Sequence, residues 1–498
     1  MELHGAGWLE KTLLKGMRVV RGLFPSPTPP PPDRGILLGF SQHPTDPSRF
    51  CLPVYWQFEQ RPRHAAVVGG AGMGKSMLLR VIMRQDIEQG NGFALFDPHS
   101  ELAEAVLSEC SRHPEALEKV WLIEPHSPFI VPFNPLSIPD GLPLYPQVLT
   151  LLDLFKRSWS DFWGPRVEEV MRACLITLAE QKLTLAELPL LLTEPSVRKA
   201  LTGSIQHEET KQFWHRFDSL SPSLQALYAE PVINRVNRFL SDPSVKAMLC
   251  SQNGINLSAR MDEGAIILIN LSKGQLKEIS LIGSLLLAQF YWAALSRLNK
   301  LSHQRRLFTI YLDEFQNFLT EAGHAEEMLA EVRKCRVGLV MVTQCLAFLD
   351  RTLRASVLAN TTLQVFFRLN PQDAGLVSGE ISLANRKFWM QKLLTLPPRQ
   401  AVCLLRGESR PSIIKTPDCF DHFDPDTLWK VREIVAQKRG RRKEEVLREI
   451  RESQERLRRL EFKGGENYGT RGSTSTRRKS ASAPRKPAIP SFKEAEPF

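Results

Sequence analysis

The chain has no pair of cysteines spaced C-x-x-C. Its eight cysteines, at positions 51, 110, 174, 250, 335, 345, 403 and 419, are scattered through 498 residues. That spacing argues against a zinc ribbon or a disulfide framework and fits a reducing cytosol. The first residues also lack the pattern of a secretory signal peptide. No long apolar run reads cleanly as a membrane span. The longest uncharged candidate, Ile279 to Ser296, just meets the length threshold, but it carries Ser280, Ser284 and Gln289. It is read as a buried helix lying on a central sheet. Charge of one sign is scarce in the body of the chain. The net charge is +11, yet ten basic face six acidic residues from Gln437 to Phe462, and eight face three from Lys463 to Phe498. The basicity belongs to the C-terminal end, so the isoelectric point alone is a weak argument for nucleic-acid binding.

What is present begins with Gly69-Gly70-Ala71-Gly72-Met73-Gly74-Lys75-Ser76, a G-x-x-x-x-G-K-S phosphate-binding loop. An apolar run from Ala65 to Val68 leads in as a strand, and a helical pattern from Met77 to Ile87 leads out. This context makes the motif physical: the glycines let backbone N–H groups close around phosphate oxygens at a helix N-terminus. Lys75 is expected to reach the β- and γ-phosphates of ATP, and the Ser76 hydroxyl to ligate Mg²⁺.

A second half of the site lies downstream. Leu307 to Leu312 is an apolar strand that ends in Asp313-Glu314. Asp313 is expected to hold Mg²⁺ through water, and Glu314 to orient and deprotonate the attacking water. The strand Val337–Thr343 ends at Gln344, an amide placed to touch the γ-phosphate and report hydrolysis. Between these strands lies Glu331-Val332-Arg333-Lys334-Cys335-Arg336. An arginine inserted across a subunit interface would stabilise charge on the transferring phosphoryl group; Arg333 is the first choice and Arg336 the second.

The length calls for two or three domains. Residues 1–34 comprise a basic amphipathic helix (Trp8 to Phe24) and a proline-rich linker; the helix suits an anionic membrane surface, a partner, or its own domain. Residues 35–144 and 256–427 carry alternating strand and helix patterns and form one α/β ATPase domain. Residues 145–255 read as an all-α insertion, 428–462 as a charged helix, and 463–498 as a disordered basic tail. That tail is either a non-specific holder of a polyanion or a solvated segment without a ligand.

Several stretches together resemble the conjugative coupling ATPases of type IV secretion (TraG/TraD-type), within the HerA–FtsK superfamily. They are His64-Ala65-Ala66-Val67-Val68-Gly69, Phe96-Asp97-Pro98-His99-Ser100-Glu101-Leu102, Ile269-Asn270-Leu271-Ser272-Lys273-Gly274, Leu312-Asp313-Glu314-Phe315-Gln316-Asn317-Phe318, Glu331-Val332-Arg333-Lys334 and Thr343-Gln344. The similarity spans roughly Gly35 to Thr416. It implies a RecA-like P-loop ATPase domain with a mostly parallel central sheet flanked by helices. It also implies a homo-hexameric ring with ATP sites at subunit interfaces, Arg333 acting on the neighbour's nucleotide, and transport of DNA, single-stranded or nucleoprotein, through the channel. Relaxase and secretion-channel proteins are the implied partners, and the cytoplasmic side of the cell membrane the implied location, with peripheral contact through residues 8–24. The chain departs from the family pattern in showing no N-terminal transmembrane helices, and in reading Ser-Glu after Asp-Pro-His where Gly-Asp is usual. Two other readings stay open. One is a soluble HerA-like DNA-processing or packaging translocase, and the other an ATP-binding adaptor that recruits substrate without motor activity.

Overall fold

The computed structural model describes residues 35–161, 163–271, 276–319, 325–407, 411–419 and 424–465. The N-terminal amphipathic segment and proline linker, and nearly all of the basic tail, lie outside these residues. In chain order the strands are β1 Ile36–Gln42, β2 Phe50–Trp56, β3 Ala65–Val68, β4 Gly92–Asp97, β5 Val120–Ile123, β6 Phe129–Ile130, β7 Ile266–Asn270, β8 Phe308–Leu312, β9 Val337–Thr343, β10 Leu363–Phe366, β11 Gln400–Leu405, β12 Ser412–Lys415 and β13 Arg441–Arg442. Eleven of them make one sheet in the order β2-β1-β12-β11-β10-β3-β9-β8-β4-β7-β5. From β10 to β5 every neighbouring pair is parallel. At the other edge β10, β11, β12, β1 and β2 pair antiparallel. This is the α/β class with a mostly parallel central sheet.

The parallel strands are short, mostly apolar and buried except at Trp121 of the edge strand β5, as strands covered on both faces must be. Alternate residues serve opposite layers. In β8, Phe308, Ile310 and Leu312 join one core and Tyr311 the other; in β4, Ala94 and Phe96 face the first and Phe93 and Leu95 the second. The second core is closed by the helices Lys75–Glu88 and Glu101–Ser111. Beneath it Arg61, wholly buried, makes a bidentate pair with Asp86 at 2.5 and 2.7 Å and also bonds Thr309 and Tyr311. That network ties the helix after the glycine loop to β8.

The first core is closed by the helix Leu276–Ser296 and the helical region beyond it. The apolar run is indeed a core helix: the window beginning at Ile279 is 83% buried. Its polar residues are satisfied within the protein. Ser280 donates to the carbonyl of Asn317, Ser284 to that of Phe318 at 3.0 Å, and Gln289 to that of Pro135 at 2.6 Å. A helix apolar on all sides is one packed on all sides.

Between β5 and β7 the chain makes helices from Leu144–Ser158 to Leu257–Glu263, with only the two-residue β6 interrupting the non-strand course. Because β5 and β7 are hydrogen-bonded neighbours, this excursion leaves and re-enters the sheet at one edge without disturbing its order. The charged C-terminal helix expected over 428–462 is instead two helices, Pro425–Arg439 and Lys443–Gly465. The break falls at Gly440, where a Cβ would lie 2.7 Å from the Ala436 carbonyl and 3.0 Å from Phe129. The following Arg441-Arg442 pairs with β6. The second helix then packs on the helical region, where Ser453 bonds Glu187 and Arg458 pairs with Glu194 at 2.9 Å.

Candidate nucleotide site

All the central strands point their C-terminal ends to one edge of the sheet, and the glycine loop opens there from β3. Two conformations require glycine. Gly72 and Gly74 have φ of +71° and +111°, and a Cβ on Gly74 would press on Arg399 and Phe367 at 3.2–3.3 Å. The loop is pinned on both flanks. Gly69 N–H donates to Thr343 O of β9 at 3.2 Å, Gly70 N–H to Arg368 O after β10 at 3.0 Å, and Met73 O accepts from Arg399 N–H at 2.8 Å. Ala71, Gly72 and Ser76 are exposed at its mouth. Lys75 begins the helix Lys75–Glu88 and folds back so that Nζ donates to Gly70 O at 3.0 Å. Burial lowers its pKa, and the charges of Asp313 and Glu314 oppose that shift.

Beyond β9, β8 delivers the carboxylates. Asp313 is buried, with its N–H donating to Phe96 O of β4 at 3.1 Å. Its carboxyl is pushed up to about 6, first by burial and then by the negative charges of Asp97 and Glu314. Glu314 takes a left-handed backbone, φ +48°, a strained conformation for this residue. One carboxylate oxygen accepts from Gln344 Nε2 at 2.7 Å, and the other lies 3.2 Å from His99 Nε2. The structure therefore brings Gly69–Ser76, Asp313, Glu314 and Gln344 to one edge.

Two residues given no role from sequence join them. Asp97 at the tip of β4 is fully buried and accepts from the N–H groups of His99 at 2.8 Å and Ala103 at 2.9 Å; burial raises its pKa despite these bonds. His99 follows it and reaches Glu314. The signal was visible as another apolar strand ending in a carboxylate, but its partner depended on sheet order, since β4 and β8 are adjacent.

Arg333 is not at this edge. It is exposed on a short 3₁₀ turn, Val332–Cys335, that leads into the start of β9. Gln344 lies past the other end of that strand, so Arg333 is roughly 20 Å from its own chain's site at about 3.3 Å per residue. Lys334 and Arg336 are exposed on the same turn.

A family model described as "Helicase HerA, central domain" matches residues 52–290. No curated protein sequence matches the chain. Among solved structures, an unbound form of the bacterial conjugative coupling protein TrwBdeltaN70 is similar at a TM-score of 0.52 and 16% identity, over 75% of this chain and 89% of that one. The plasmid coupling protein TrwB in complex with ADP and Mg²⁺ gives 0.51 and 16%, over 75% and 90%. VirB4 of Thermoanaerobacter pseudethanolicus gives 0.54 and 14%, over 77% and 96%.

Proposed function

We propose that this chain, which matches the HerA central-domain model over residues 52–290 and shares the fold of the coupling protein TrwB and of VirB4, is a P-loop ATPase of the HerA–FtsK superfamily that hydrolyses ATP at shared subunit sites to move DNA. The residues present suit Mg-ATP. Gly72 and Gly74 supply the positive-φ backbone of a phosphate-binding loop, and Asp313, Asp97 and Glu314 concentrate negative charge that a cation would relieve. Ser76 and Asp313 would hold Mg²⁺, which neutralises phosphate charge when bound; the loop N–H groups and Lys75 would hold the phosphates.

Glu314 accepts a proton from the water that attacks the γ-phosphorus as the bond to the β-phosphate breaks and ADP leaves. Its bonds to Gln344 and His99 hold the carboxylate in one orientation. Gln344 directly follows β9, the strand between the glycine-loop strand and β8, so a change at Glu314 is passed to β9. The observation that carries the reading is the separation of Arg333 from its own site. An exposed arginine at the far edge of the sheet suits a neighbouring copy, and a repeated head-to-tail contact closes into a ring. The ring is taken as a hexamer on the cytoplasmic side of a bacterial membrane, serving a conjugation-like type IV secretion system.

The test is steady-state ATP hydrolysis by the full chain with no DNA, single-stranded DNA and double-stranded DNA, read beside oligomer mass. Hydrolysis stimulated by one form of DNA in a ring-sized species is expected. Nucleotide binding without hydrolysis would instead make the protein an adaptor.

A further inference from the structure

His64 immediately precedes β3, yet its side chain does nothing at the glycine loop. It is fully buried and has a positive φ of +64° with ψ 162°, an extended conformation outside the left-handed helical region. Its Nδ1 accepts from the backbone N–H of Leu339 in β9 at 3.0 Å. That bond requires a lone pair on Nδ1, so in the neutral ring the proton sits on Nε2, which donates to the carbonyl of Leu329 at 2.8 Å. Burial, with a smaller contribution from the charge of Arg333, holds the ring down to about 4, so it is neutral at physiological pH.

These two bonds bracket one piece of chain. Leu329 lies four residues before Arg333, in the helix Ala325–Glu331, and Leu339 lies six after it. The same turn is held at two more points: Tyr291 donates to Glu331 at 2.7 Å, and Arg305 donates to the carbonyl of Lys334 at 2.7 Å. A buried imidazole with one tautomer and two backbone partners fixes distance and angle between a helix end and a strand. We infer that His64 is a positioning residue for Arg333, pinning the arginine-bearing turn to the start of the glycine-loop strand so that Arg333 is presented in a fixed geometry to a second copy's nucleotide. This rests on the trans role proposed for Arg333. Displacement of such a group by about 1 Å costs on the order of 100-fold in rate.

His64→Asn is the variant to use: like histidine it carries a Cβ at φ 64°, ψ 162°, so the backbone strain is matched, while its amide is too short to bridge both partners. In the nucleotide-free full chain, amide hydrogen exchange should accelerate in peptides spanning 329–339 and stay unchanged in peptides spanning 69–76. With ATP, kcat should fall by about 10- to 100-fold and the nucleotide dissociation constant should stay within about twofold. Subunit mixing supplies the discriminating result. His64→Asn mixed with Lys75→Ala should regain activity, because the second partner supplies a sound arginine turn to a sound glycine loop. His64→Asn mixed with Arg333→Ala should regain none. Recovery with Arg333→Ala but not with Lys75→Ala would overturn the inference, locating the defect in the glycine-loop strand, as would unchanged exchange over 329–339. The reference mixture of Lys75→Ala with Arg333→Ala judges the trans role by itself; if only that fails, the exchange data still decide what His64 holds.

Discussion

Glu314→Gln removes one negative charge from the site while keeping the side chain's length and one carbonyl oxygen. The wild-type carboxylate faces three donors, Gln344 Nε2 at 2.7 Å on one oxygen and His99 Nε2 at 3.2 Å and Asn317 Nδ2 at 3.4 Å on the other. An amide can accept on one side only, and turns its own NH₂ on the donors of the other. Loss of a general base lowers kcat by about 10²- to 10⁴-fold, or about 3–5 kcal/mol of barrier. Nucleotide binding moves differently. Asp313 is held at about 6 by burial, Asp97 and Glu314, in that order. Without the Glu314 charge Asp313 ionises more easily, so the pH below which Mg²⁺-dependent affinity is lost shifts downward. The assay is phosphate release at saturating ATP, paired with fluorescent-nucleotide titrations from about pH 5 to 8. Turnover reduced by at least about 100-fold with affinity retained is the expected outcome. Turnover within tenfold of wild type, or affinity lost together with turnover, refutes the assignment.

Three further substitutions test the cradle and the carboxylate cluster. The folded-state pKa of Asp313 lies above the ordinary value of 3.8, so its contribution to the stability of the nucleotide-free protein declines as pH rises from about 4 to about 6. Asp313→Asn should therefore raise unfolding free energy at pH 7.5 by up to about 3 kcal/mol, with less gain near pH 5, while abolishing Mg²⁺-dependent nucleotide binding; melts at both pH values and a Mg²⁺ titration check it. Gly74→Ala places a methyl group against Arg399 and Phe367 at φ +111° and should cost about 1–3 kcal/mol and weaken nucleotide binding at least tenfold. Gly72→Ala, at φ +71° with open space around it, should cost only about 1–2 kcal/mol.

The glycine loop was legible in the sequence because its chemistry is local: one contiguous loop, one strand before it, one helix after. Asp313-Glu314 and the parallel strands were legible for the same reason, each being an apolar run with a polar tip. The run Ile279 to Ser296 could be read as core because it carries Ser280, Ser284 and Gln289 and sits between segments that share one ATPase core. What escaped depends on which strands become neighbours. Asp97 and His99 matter at this edge because β4 lies beside β8, and no local pattern states that order. Arg399 holds the loop through Met73 from more than 300 residues away. The break at Gly440 hid in a strongly helical charge pattern, since the close approach of Phe129, added to that of the Ala436 carbonyl, comes from a segment more than 300 residues away. Strands β11 and β12, which extend the sheet beyond β10, were not anticipated either.

The central claim is that each nucleotide site takes its glycine loop from one copy and its arginine from another, and mixing two inactive variants tests it directly. Lys75→Ala spoils the loop and leaves the arginine turn intact; Arg333→Ala does the reverse, at the opposite edge of the sheet. In rings assembled at random from equal amounts, about one interface in four joins a sound loop to a sound arginine. ATP hydrolysis should then recover to roughly a quarter of the wild-type rate per site if interfaces act independently, and less if they are coupled. No recovery in mixed rings of confirmed composition would contradict a shared site.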